Sequence, residues 1–130
     1  MLDRITVLHF SPTGGTRRAA LLLARQIAER VEEIDLCRPD TQAHSFGKDD
    51  VVLTAGPVYG GRLPALMAER LRAYRGEGAR AISAAVYGGR AYEDAPVELD
   101  DLLGGQGVRV IASAALLAEH SIVRALAAGR

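Results

Sequence analysis

The apolar run Ile5-Thr6-Val7-Leu8-His9-Phe10 passes directly into apolar positions at helical spacing, and the hinge between them is Ser11-Pro12-Thr13-Gly14-Gly15-Thr16. A strand that feeds a helix through a glycine turn must send the chain back across a sheet, so the next strand runs parallel to the first. The same exchange of periods recurs along the chain. Strands are predicted over residues 4–10, 31–36, 51–55, 80–86 and 108–117. The first helix is expected over 16–30, with Ala20, Leu23, Ala24, Ile27, Ala28 and Val31 at helical spacing. A second is expected over 64–74, with Pro64 in its first turn and Leu63, Leu66, Met67, Leu71 and Tyr74 on its core face. A third covers 91–103 and stops at Gly104-Gly105. Residues 37–48 read as a polar connection where a further helix would stand, and 120–128 as a short helix or frayed tail. Alternation of this kind implies an α/β domain, a parallel sheet with helices on both faces.

The hinge has the chemistry of an anion cradle. Hydroxyls at Ser11, Thr13 and Thr16 can donate to phosphate oxygens. Gly14 and Gly15 let the backbone approach closely and take positive φ. The N–H groups of the first helical turn point the same way. Neither lysine nor arginine lies inside the turn, so a phosphate monoester would be held by hydroxyls and amides alone. The turn lacks the Lys of a Walker A loop, and its glycine spacing is not the dinucleotide fingerprint. The plain alternative is a hydroxyl N-cap beside a glycine turn.

Context extends the reading. Ser-x-Thr-Gly-x-Thr after the first strand resembles the FMN-phosphate loop of flavodoxins. Two later segments, Gly56-Pro57-Val58-Tyr59-Gly60-Gly61-Arg62-Leu63-Pro64 and Val86-Tyr87-Gly88-Gly89-Arg90-Ala91-Tyr92-Glu93-Asp94, join it in the order that family uses. With Ala118-Glu119-His120-Ser121 they resemble the flavodoxin-like half of the flavodoxin–ferredoxin fusion proteins (the EFR family), from about residue 4 onward. The resemblance implies a five-stranded, doubly wound, flavodoxin-like sheet in the order 2-1-3-4-5, shortened after strand five. It implies FMN as cofactor, with Ser11, Pro12, Thr13, Gly14, Gly15 and Thr16 on the phosphate. Pro57, Val58, Tyr59, Gly60, Gly61 and Arg62, together with Tyr87, Gly88, Gly89, Arg90 and Tyr92, would stand around the ring. It also implies a ferredoxin-type iron–sulfur domain as redox partner. That domain is absent here, so the chain reads as one domain, 1–130, excised from or shortened relative to a longer protein.

In such a fold, ligands bind beyond the carboxyl ends of the strands, where the strand order reverses. Tyr59 and Tyr92 either stack on an isoalloxazine face or are half-buried loop tyrosines. Tyr87 ends a strand and reads also as packing. Gly60-Gly61 allows a peptide flip beside the ring. Arg62 and Arg90 are either solvated loop cations or partners of an anionic reduced flavin. Glu119-His120-Ser121 reads as a cap or as a contact with the missing part.

Composition narrows the remaining classes. No apolar run approaches the roughly 20 residues that span a bilayer, no secretory signal is visible, and a cytoplasmic location is expected. Formal charge is zero, with one lysine, Lys48, against 15 scattered arginines, which speaks against nucleic acid. Cys37 is alone, so neither an internal disulfide nor a four-cysteine cluster can form, and it reads as structural. Three His without clustered ligands give no metal site. No nucleophile–base pair stands out, so a bound cofactor would carry the chemistry. An electron-transfer role is the first reading. A nicotinamide-dependent flavin or quinone reductase and a flavin-free interaction domain are the alternatives. The short C-terminal segment is expected to leave apolar surface that a second copy of the chain, in a homodimer, would cover.

Overall fold

The computed structural model describes residues 1–38, 44–58, 63–87, 99, 104–105, 107–117 and 122–127. The elements are β1 (Leu2–His9), α1 (Gly15–Ile27), β2 (Ala28–Asp35), β3 (His44–Ser45), β4 (Val51–Pro57), α2 (Ala65–Leu71), β5 (Tyr74–Arg75), β6 (Arg80–Tyr87), β7 (Arg109–Leu117) and β8 (Ile122–Ala127). Six strands form the main sheet in the order β2-β1-β4-β6-β7-β8. The first five are parallel and stand in the expected 2-1-3-4-5 arrangement.

The sheet is organised around β4. All seven of its residues are buried, as a continuous Val51-Val52-Leu53-Thr54-Ala55 run at a sheet centre requires. Two cores lie on its two faces. On one side Ile5, Val7, Leu53, Ala55, Ala84 and Val86 pack against Ala19, Ala20, Leu21 and Ala24 of α1. Ala side chains on the inner face of α1 let the helix lie close to the sheet. On the other side Leu8, Phe10, Leu36 and Val52 meet Leu63, Met67, Leu71 and Tyr74 around α2. Arg70 of α2 donates to the carbonyls of Leu36 (2.7 Å) and Arg38 (2.8 Å), tying that helix to the end of β2.

Several boundaries differ from expectation. α1 ends at Ile27, and Ala28 takes extended backbone at once (φ −140°, ψ 147°). Pairing with β1, from Leu2↔Ala28 to His9↔Asp35, claims those residues for the sheet. α2 ends at Leu71, and Tyr74-Arg75 forms a two-residue parallel ladder with His44-Ser45. The Tyr74 ring, 5 % exposed, stacks on Phe46 with centroids 6.2 Å apart. Leu66, expected on the core face, is 42 % exposed: Met67 and Leu71, four apart, form the buried stripe of α2, and Leu66 stands about 100° from Met67 around the helix. Most of the 91–103 helix lies outside the described residues. Leu99 is helical and fully buried, Gly104 and Gly105, expected to stop the helix, are themselves helical, and the chain turns at Gly107 (φ 82°).

The C-terminal segment corrects the sequence reading. It is a strand, β8, antiparallel to β7 through Leu117↔Ile122, Leu116↔Val123 and Ala115↔Arg124. β-branched Ile122 and Val123 favour this, and β7 offers an otherwise unpaired edge. A bulge in β7 sets Ile111 outside the β6 register, where it is 37 % exposed. Ile82 and Leu23 are partly buried at the margin of the α1-side core.

Gly76 shows how tightly the far end is packed. A Cβ there would stand 2.8 Å from both Cα and N of Val108, which are backbone-fixed atoms. Gly76→Ala is expected to destabilise the fold by about 1–3 kcal/mol, seen as a lower urea midpoint with an unchanged slope.

Candidate functional site

The hinge is positioned by hydrogen bonds that outlast the strands. The Phe10 N–H donates to the Ala55 carbonyl at 3.1 Å, extending the β1–β4 seam one step, and the Leu36 N–H donates to His9 O at 2.8 Å. With its last partners taken, the chain must leave the sheet at Ser11. Gly14 then serves as the α1 N-cap in left-handed backbone (φ 92°, ψ −16°), a conformation that favours glycine. No side chain caps the helix at that position, and its first turn has no acidic residue. A Cβ built on Gly14 would meet nothing within 4 Å among the described residues. Among the described residues the helix start therefore presents its positive end to open space, with no carboxylate in its own first turn.

Ser11 closes the loop from the other side. Its Oγ accepts the backbone N–H of Arg17 at 2.9 Å, six residues on, which leaves its own hydroxyl proton to donate. Pro12 and Thr13 are exposed, Gly14 and Gly15 half-buried, and Thr16 is 5 % exposed. Arg18 N–H donates to Gly14 O at 3.1 Å, starting the helical ladder.

The other expected loops begin at the same sheet edge. Pro57 ends β4 and is buried. Val58 follows, half-buried, its N–H donating to Val86 O at 3.0 Å. Tyr87 ends β6 at 2 % exposure. The ends of β1, β4 and β6 are thus brought side by side, as Gly56↔Ala85 and Pro57↔Val86 continue the register beyond His9↔Ala55. Tyr59, Gly60, Gly61, Arg62, Gly88, Gly89, Arg90 and Tyr92 lie outside the described residues, as do Glu119, His120 and Ser121.

Beneath the start of α1 lies a charged cluster that sequence reasoning missed. Glu33 of β2 accepts from the Arg17 guanidinium with both oxygens, Nε to Oε1 at 2.6 Å and Nη2 to Oε2 at 3.0 Å. His9 Nε2 lies 3.1 Å from the same Oε1. His9 is 2 % exposed, and its Nδ1, like the buried Thr54 Oγ1, has no hydrogen-bond partner among the described residues. The pairings Val7↔Glu33 and His9↔Asp35 put the two side chains on the α1 face. Both charges respond. The Arg17 hydrogen bond holds the Glu33 carboxyl below the usual glutamate range against the opposing effect of burial, and His9 adds to it. Glu33 in turn raises Arg17.

Cys37 stands beside the loop. Its N–H donates to Asp35 Oδ1 at 2.9 Å. Burial pushes the thiol up, with a hydrogen bond to the Ser11 backbone opposing it. The side chain stays a protonated thiol at neutral pH, which fits the structural reading.

Two substitutions separate these contributions. Ser11→Ala removes the acceptor for an orphan helix N–H and is expected to cost about 1 kcal/mol at any pH. Glu33→Gln is expected to behave differently. Native Glu33 binds a proton less readily than unfolded Glu33, so its stabilisation is complete above the usual glutamate range and is lost as pH falls through the lowered native value. The stability gap between wild type and Glu33→Gln should be open at neutral pH and close on acidification, measured by urea unfolding at several pH values.

No protein-family model and no curated protein matches the chain. Solved structures do. Oxidised flavodoxin 1 from Bacillus cereus is 20 % identical with a TM-score of 0.61, covering 90 % of this chain and 87 % of its own. Two-electron-reduced flavodoxin from Megasphaera elsdenii is 20 % identical at a TM-score of 0.56, covering 88 % and 86 %. Rubredoxin oxygen:oxidoreductase from Desulfovibrio gigas matches over 88 % of this chain but 30 % of its own, at 13 % identity and a TM-score of 0.60. Five parallel strands in the order found here, the α1 and α2 cores on opposite faces, and these likenesses make the fold flavodoxin-like α/β.

Proposed function

We propose that this chain is an FMN-binding electron-transfer domain. The observation that carries the reading is the start of α1: a glycine N-cap at φ 92°, no first-turn acid and, among the described residues, open space above Gly14, at the edge where β1, β4 and β6 end. A terminal phosphate suits this cradle better than the bridging phosphates of a dinucleotide, whose glycine fingerprint is missing. Ser11, Thr13 and Thr16 supply hydroxyls, and the first-turn N–H groups supply backbone donors. Residues 57–62 and 87–92 follow the adjacent strand ends and would flank the ring. Flavodoxins in oxidised and two-electron-reduced form share the fold, and that likeness supports a redox role without assigning one.

When bound, the flavin supplies the electron chemistry. The chain's part is to hold the phosphate, exclude water from the ring and set the charge around it. In the proposed arrangement the redox partner is a ferredoxin-type iron–sulfur domain, as in the flavodoxin–ferredoxin fusions that the three loops resemble.

The test is flavin titration followed by absorbance and fluorescence. FMN is expected to bind and acquire a perturbed visible spectrum. Replacing Thr13 and Thr16 together by Ala removes two charge-assisted hydrogen bonds, each worth roughly 1.5–3 kcal/mol. FMN affinity should fall tens- to thousands-fold while riboflavin affinity barely changes. Equal losses for the two flavins would place the phosphate elsewhere. The neutral formal charge also has an expected consequence. The second one-electron potential should be less negative than in a strongly acidic flavodoxin, and Arg62→Ala should lower it by an amount on the order of tens of millivolts, measured by redox titration of the FMN-loaded protein.

A further inference from the structure

Arg17 belongs to the hinge by its backbone and to the sheet by its side chain. Its N–H is held by Ser11 Oγ at 2.9 Å, so its Cα sits at the mouth of the loop. Its guanidinium is turned away onto Glu33, in a two-point pair of 2.6 and 3.0 Å. Glu33 cannot follow it outward, because Oε1 is also held by His9 Nε2 at 3.1 Å and His9 is 2 % exposed in the sheet. A cation in the first turn is opposed by the helix dipole and would be drawn toward an anion bound there. Glu33 offers it a fixed partner instead.

We propose that Glu33 is a specificity-determining residue, which sequesters the Arg17 guanidinium and keeps it off the anion bound by residues 11–16. This rests on the reading of that hinge as a flavin-phosphate site and adds who sets its affinity. The cradle then takes a phosphate on hydroxyls and amides, and the discrimination between FMN and riboflavin is held below what an available arginine would give. Arg18, exposed and with no ion-pair partner among the described residues, keeps its charge in every variant compared and cancels from the comparison. Asp35, the other charge acting on Arg17, is likewise unchanged.

The experiment compares wild type, Glu33→Gln, Glu33→Ala, Arg17→Gln and the Glu33→Gln/Arg17→Gln double variant. FMN and riboflavin are titrated by fluorescence at low and high salt. Inorganic phosphate is titrated into the flavin-free proteins, followed by amide shifts of residues 11 and 13–18. Glu33 and Arg17 are surface side chains, 34 % and 51 % exposed, so folded variants are expected and each is verified by its unfolding transition. Releasing Arg17 should tighten FMN roughly ten-fold, the worth of one hydrogen bond to a charged group, and steepen its loss with salt. Riboflavin affinity should hold within about two-fold, the double variant should lose the gain, and inorganic phosphate should follow FMN.

If Glu33→Gln and Glu33→Ala leave FMN unchanged, or weaken FMN and riboflavin together, Glu33 is a structural tether and the proposal falls while the flavin reading stands. If wild type binds no flavin but the Glu33 variants take inorganic phosphate more tightly at these amides, and the double variant does not, the flavin reading falls and the sequestration stands. If no variant binds either ligand, both fall.

Discussion

Everything at the candidate edge depends on the burial of β4. A strand with both faces apolar can sit only at the centre of the sheet, between two layers. Its hydrogen bonds to β1 on one side and β6 on the other then place three strand ends in a row. Phe10 and Val58 carry that register one residue beyond the strands through bonds to Ala55 and Val86. The loops are therefore anchored at their roots by strand ends that are buried, His9-Phe10, Ala55-Gly56-Pro57 and Ala84 to Tyr87. Shifting β4 by one residue would swap Leu53 and Val52 between the two cores, and no local adjustment of the loops could repair that.

The hinge shows a division of labour between backbone and side chains. Backbone supplies the positive end of α1 and the left-handed turn at Gly14. Side chains supply restraint: Ser11 holds the Arg17 amide, and Glu33 holds its guanidinium. An anion held there as proposed would be bound by directed hydrogen bonds, whose strength depends on geometry more than on ionic strength.

Much of this was legible in the residues. Alternating periods, the uninterrupted apolar run of β4 and the glycine turn after β1 were enough for the layer architecture, while the strand order came with the resemblance of the three loops to flavodoxins. The hinge was legible because its chemistry is local, six consecutive residues between a strand and a helix. What escaped was non-local. Glu33, Arg17 and His9 meet only once the β1–β2 register is known, and nothing in Val31-Glu32-Glu33-Ile34 says which glutamate faces α1. The extra strand at the C-terminus escaped for a similar reason. Alanine and leucine near the end read as helical, and the open edge of β7 that captures Ile122 and Val123 is a property of the assembled sheet. Tyr74 left its helix because Phe46, 28 positions earlier, offered a ring to stack on.

The direct junction of α1 with β2 makes helix and strand two sides of a closed figure. From Arg17 to Ala28 the helix advances about 16 Å at 1.5 Å per residue, and from Ala28 to Glu33 the strand returns about 16 Å at 3.3 Å per residue. The two lengths are commensurate, which is why a residue at the head of α1 meets one well along β2 although no loop lies between to take up slack. An inserted residue in α1 would not simply lengthen it. It would rotate Arg17 by about 100° around the helix and carry it past Glu33. Length variation in this part of the molecule is thus confined by arithmetic to the connection that follows β2, and the distance from the mouth of the hinge to the sheet's outer strand is a fixed dimension of the protein.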